Sequence, residues 1–145
     1  MPAPDSMTRQ HHSFRVRYPA VLFLLGCFLV GNAQADWLAL GRNENFRAYL
    51  DQTSLQRNGD LVQVLQLMDF VTAQWADERT VIGSIKSVVE YDCAQPRLRT
   101  VALEAFSEQM GDGRRVASER LPNPEWEGVK PGSTNEKIWK LVCGK

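Results

Sequence analysis

The sequence predicts an α+β domain: a small antiparallel β-sheet with a C-terminal α-helix packed on it and tied by one disulfide. Three observations predict it. Long apolar segments of strand character are punctuated by Asn58-Gly59 and by Gly111-Asp112-Gly113, both turn signals. A capping box, Ser133-x-x-Glu136, opens the last apolar segment. Cys93 closes a strand-like run and Cys143 lies in that terminal helix.

The domain is preceded by an export signal over residues 1–35. Arg15 and Arg17 give it a basic start, an apolar run follows from Tyr18 to Val30, and Ala33-Gln34-Ala35 is a small-x-small cleavage site. The run is shorter than a membrane-spanning helix requires. Leu24-Leu25-Gly26-Cys27 loosely matches a lipobox, in which Cys27 would be lipidated and would anchor the chain to a membrane. Phe28-Leu29-Val30 prolongs the apolar run past that cysteine, which favours cleavage after Ala35 and a mature domain over residues 36–145. The protein is then exported, to the periplasm or, if Cys27 is lipidated, to a membrane surface.

Removal of the signal excludes several chemistries. The two histidines, His11 and His12, both precede the apolar run, so the mature domain has no imidazole base or ligand. No Ser-His-Asp or Cys-His site is available within it, and no metal site is expected. Taking Arg9, Arg15 and Arg17 from 17 Lys+Arg, and Asp5 from 17 Asp+Glu, leaves 14 and 16, a net of −2. Such a balance offers no global attraction for nucleic acid. An even pair of cysteines in an exported domain reads as a disulfide in preference to two buried thiols, and the absence of Cys-x-x-Cys argues against a redox pair. The closed loop spans 50 residues, for which lost chain entropy corresponds to roughly 4 kcal/mol.

In chain order, Asp36-Trp37-Leu38-Ala39-Leu40 is a short strand and Phe46–Leu50 a second one. Asp51–Ser54 is a turn or a single helical turn that Asp51 can cap. Asn58-Gly59 supplies the two positive φ angles of a type I′ hairpin. Leu61–Phe70 is a long strand with Val62, Val64, Met68 and Phe70 on one side and Leu61, Leu65 and Leu67 on the other, so both faces are covered for part of its length. Residues 71–80 read as a loop. Val81–Cys93 is a strand whose Lys86, Glu90 and Asp92 should face water. Arg97–Glu108 is a further strand, with a bulge or an end between Leu103 and Phe106; a helix over 101–110 competes with it. Arg114–Glu119 returns as an edge strand, and the proline-rich 121–132 is a loop anchored by Trp126. The helix follows, with Ile138, Leu141 and Val142 on its apolar face and Gly144 as its stop.

The order and spacing of several motifs resemble the surface-adhesin protein E family of Gram-negative bacteria. These are Asp36-Trp37, Phe46 with Tyr49-Leu50-Asp51, the basic-Asn-Gly hairpin, and Asp69-Phe70. Ser84 or Ser87 before Tyr91-Asp92-Cys93, then Met110-Gly111-Asp112-Gly113, Trp126, Pro131-Gly132-Ser133 and Cys143 complete the set. The resemblance implies an antiparallel sheet with a C-terminal helix laid on one face and held by one disulfide. It also implies a non-enzymatic binding module for an extracellular-matrix, plasma or envelope protein; separately, a monomer is expected. Haem binding comes with the type; no cofactor is expected here, because haem would need Tyr49, Tyr91, a Met or a Lys as its ligand. The alternative role is that of a soluble periplasmic accessory protein of an envelope complex.

Candidate binding residues are Trp75, an anchor if exposed in its polar loop, and Arg97, Arg99, Arg114 and Arg115, a basic patch if the strands carrying them bring them together. In antiparallel pairing, 97–99 and 114–115 do not fall directly opposite each other. Asp77-Glu78 and Glu125/Glu127 read as surface carboxylates and not as an acid/base pair.

Overall fold

The computed structural model describes residues 35–145. The export segment, with Cys27, lies outside the described residues apart from Ala35. The chain runs as an antiparallel meander: β1 (Trp37–Arg42), β2 (Phe46–Asn58), β3 (Leu61–Trp75), β4 (Val81–Asp92), β5 (Arg97–Phe106) and β6 (Arg115–Arg120) lie side by side in sequence order. A two-residue strand, β7 (Glu127–Gly128), pairs with the first residues of β5, where β6 no longer covers that edge. Helix α1 (Thr134–Cys143) closes the fold.

The helix ends follow the local grammar. The Ser133 hydroxyl accepts from the Glu136 N–H at 3.1 Å. The Glu136 carboxylate accepts from the Gly132 N–H at 2.7 Å and pairs with Lys140 one turn on. Gly144 takes a φ of 66°, which suits a residue without a Cβ. The buried stripe is Ile138 and Val142, flanked by Trp139 and Cys143, while Leu141 is 51% exposed. Leu141 therefore lies off the face expected for it. The Cys93–Cys143 bridge and the Trp139 Nε1–H bond to the Asp92 carbonyl (2.7 Å) rotate the helix toward positions 139 and 143.

Leu50, Val62, Val64, Val89, Tyr91 and Leu98 meet Ile138 and Val142 in one core on this face. Tyr91 is fully buried; its hydroxyl accepts from Gln66 Nε2 (2.7 Å) and donates to Asn135 Oδ1 (3.1 Å). Burial pushes its pKa well above the ordinary phenol value. Arg57 reaches across from β2 to the Val142 carbonyl at 2.7 Å, meeting an orphan acceptor at the helix end.

A ten-residue helix is about 15 Å long and cannot cover a fifteen-residue strand. The buried face of β3 changes accordingly, from Val62 and Val64 beneath the helix to Leu67 and Asp69 on the opposite side. There the cover is a single 3-10 turn, Gln109–Gly111, which replaces the competing helix over 101–110.

Other boundaries differ from expectation. Asp51–Ser54 does not interrupt β2; four residues, 52–55, bulge opposite one residue of β3. Asp51 Oδ1 accepts from the Thr53 N–H, and the Ser54 hydroxyl receives the Leu65 N–H, so the expected turn is folded into the strand. The hairpin loop is Gly59-Asp60, with Asn58 paired to Leu61 and only Gly59 at positive φ, so the type I′ pair is not formed. β3 continues to Trp75 where a loop was expected, again with four residues bulging, 70–73. Residues 76–80 alone form the connection to β4.

Candidate functional site

The sheet face away from α1 is open, and its side chains form an ordered polar ladder. Glu90 and Asp92 point to this face but are buried, at 6% and 5% exposure, where solvated charges were expected. Neighbouring strands supply their partners. Gln63 Nε2 donates to Glu90 Oε2 at 2.8 Å, and Arg99 Nε donates to Glu90 Oε1 at 2.7 Å. Arg97 bonds Asp92 Oδ2 through both Nε and Nη2, each at 2.8 Å. Trp126 lies over both arginines, 4.6 Å from the Arg97 guanidinium and 4.4 Å from that of Arg99. Burial acts to raise the Asp92 carboxyl, but the Arg97 bond and the N–H groups of Ala94 and Gln95 outweigh it and hold the group below the ordinary carboxylate range.

At the other end of the same face, the 3-10 turn is clamped. Asp69 Oδ1 accepts the Met110 N–H at 2.7 Å, while Asp69 Oδ2 pairs with Arg47 at 3.2 Å. The Ser84 hydroxyl donates to the Glu108 carbonyl and accepts the Gly111 N–H, at 2.7 and 2.8 Å. Met110 is held at a φ of 58°, a left-handed conformation that an L side chain adopts at a cost of about 1 kcal/mol. Gly83 makes this approach possible, since a Cβ there would overlap the Glu108 backbone. Three sequence motifs, Asp69-Phe70, the serine of β4 and Met110-Gly111, thus meet at one place. Gly83 was missed in the sequence; an isolated glycine inside a strand pattern was its signal.

The candidate residues separate into three places. Trp75 ends β3 at the tip of the β3–β4 hairpin and is 70% exposed. Asp77 in the adjoining loop accepts the Arg79 N–H, which holds its carboxyl below the ordinary range. Arg97 and Arg99 sit together under Trp126. Arg115 pairs with Phe106 at the far end of β5, roughly 30 Å from Arg97 by strand length, and its guanidinium binds Glu104. Arg114 lies beside it in the loop, its N–H on the Ser107 hydroxyl. The four arginines form two pairs at opposite ends and not one patch. Tyr91, a possible haem ligand by residue type, has its hydroxyl engaged inside the core.

Chemically, the open face offers fixed guanidinium planes and the Trp126 indole, and the β3–β4 tip offers an exposed tryptophan. These groups suit recognition of another surface. Among the described residues no cluster of three or more His, Cys, Asp or Glu is arranged to hold a metal ion.

The comparisons agree with the geometry. The sequence matches no curated protein. Crystal forms of Haemophilus influenzae protein E share the fold. One aligns with a TM-score of 0.62 at 17% identity, over 78% of this chain and 91% of that one. A second gives 0.61 at 17% identity, over 78% and 87%. Protein E from a non-typeable strain gives 0.60 at 17% identity, over 79% of each chain. The family model for surface-adhesin protein E matches residues 37–144. With that match running from the first residue of β1 to the cap of α1, the chain belongs to the surface-adhesin protein E family.

Proposed function

We propose that the mature chain is a non-enzymatic binding module of the cell envelope, and that it contacts a matrix, plasma or envelope protein through its open sheet face and the β3–β4 tip. The observation that carries this reading is Trp75: a large indole left 70% exposed at a hairpin tip, where it buries little area in the domain and can anchor a partner. Family membership supports the same reading. Arg97 and Arg99, already oriented by carboxylates and Trp126, lose little side-chain freedom on binding. The chain acts as a monomer and without a cofactor in this scheme.

The test is binding of the secreted product of the full chain to a panel of immobilised matrix and plasma proteins and to envelope extract. Saturable binding that Trp75→Ala weakens is expected. No saturable binding to any of them would reject the reading. The intact mass of the product in soluble and membrane fractions locates it. A membrane species beginning at a lipid-modified Cys27 supports surface display. A soluble species beginning at Asp36 supports a periplasmic accessory role instead.

A further inference from the structure

We infer that the open face binds an extended acidic segment of a partner protein, seated in a trough across β3 to β6 and centred on Arg120. This rests on the binding-module reading and names the partner's chemistry. Direct cross-strand neighbours Leu65, Val88 and Ala102 form an apolar strip that ends at Arg120. They floor a cavity of about 320 Å³ that Lys86 borders on the next row. A second cavity, also about 320 Å³, lies on the other side of Arg120, walled by Pro122, Pro124 and Arg99. Val101, the extra residue that bulges from β5 against β4, lines this second cavity. Two cavities that share one wall residue make a trough, which suits an extended chain better than a compact small molecule.

Charge sets the chemistry of the occupant. The carboxylates along this face are already engaged: Asp69 with Arg47, Glu90 with Arg99, Asp92 with Arg97, and Glu104 with Arg115. Glu119 borders the first cavity but pairs with Leu103, so by alternation its side chain belongs to the other face. Among the described residues, Arg120 and Lys86 have no carboxylate partner. Lys86 rests over Phe106 at 4.8 Å and donates to the Gly111 carbonyl at 3.4 Å, contacts that order it beside the trough. The two cavities are lined by Lys86, Arg99 and Arg120 and by Glu90, Glu104 and Glu119; with Glu90 and Glu104 held by Arg99 and Arg115, Arg120 and Lys86 are the cations left to meet an acidic group. A segment that alternates acidic and apolar side chains would place carboxylates on Arg120 and Lys86 and apolar groups on the Leu65–Val88 strip.

The test is fluorescence anisotropy with two labelled peptides, one alternating glutamate and valine, the other lysine and valine. The secreted product should bind the first saturably and the second not at all, with affinity falling as salt is raised. Arg120→Glu should weaken binding at least about tenfold, Arg120→Lys should retain most of it, and Lys130→Glu, outside the trough, should leave it unchanged. Equal binding of both peptides, or an Arg120→Glu variant that binds as tightly as the parent, overturns the inference. If neither peptide binds while the matrix or envelope panel still does, the acidic trough falls and the binding module stands. If nothing binds at all, both fall.

Discussion

The helix-covered face and the open face of this sheet bury comparable side chains by different means. Under α1, the work is done by apolar packing around Ile138 and Val142, with one covalent bond and one buried tyrosine relay. On the open face, buried Glu90, Asp92 and Asp69 are each matched by an arginine from a neighbouring strand or hairpin. The first arrangement rests on apolar contact and a covalent bond and holds the domain together. The second is directional and electrostatically biased. A domain of this size has a modest core, so it places its stability on one side and leaves the other free to present charge.

If that division holds, mutations should sort by face. The largest loss is expected from Cys93→Ser, at roughly 4 kcal/mol for a 50-residue loop. Urea unfolding with and without reductant measures it, and coincident curves would remove the staple from the account. Tyr91→Phe comes next, at about 1–3 kcal/mol, because Gln66 and Asn135 lose their shared partner inside the core. A neutral result would mean that water replaces the hydroxyl.

On the open face the effects should be smaller. Trp126→Ala should cost about 1 kcal/mol, chiefly lost contact with two guanidinium groups, and should weaken partner binding more than stability. The same face should carry the acid sensitivity. The folded Asp92 carboxyl lies below its unfolded value, so its contribution is complete above about pH 4 and is lost as pH falls through the folded value. Arg97→Gln should flatten that acid limb of a stability–pH profile, whereas Tyr91→Phe should leave its shape intact. Trp75→Ala is the smallest in stability, within about 0.5 kcal/mol, and its loss should appear in binding alone. A large fall in melting temperature would place that indole in the fold and not at an interface.

Much of the helix face was legible in the chain. The capping box, Gly144 and the Cys93–Cys143 pair are local or compositional signals, and the structure carries each of them. Leu141 was misplaced because helical periodicity defines a stripe but not which edge of it meets the sheet; the bridge and Trp139 decide that. The open face was less legible. Glu90 and Asp92 read as solvated because alternation gives their side of the sheet and says nothing about what covers it. Arg97 and Arg99 read as part of a patch with Arg114 and Arg115, and strand register separates them into two ends. The extension of β3 past Phe70 was hidden by four bulged residues that break the alternation.

By itself, the sequence determined the class of fold, the position of the helix, the staple and the absence of histidine from residues 36–145, because these depend on residue type and short-range spacing. Only the tertiary structure decided that Asp69, Ser84, Gly83 and Met110 form one clamp, that Trp126 lies over two paired arginines, and that Arg120 stands between two cavities. Those arrangements join residues tens of positions apart through strand register, and register is a property of the assembled sheet, which no single segment carries in its own pattern.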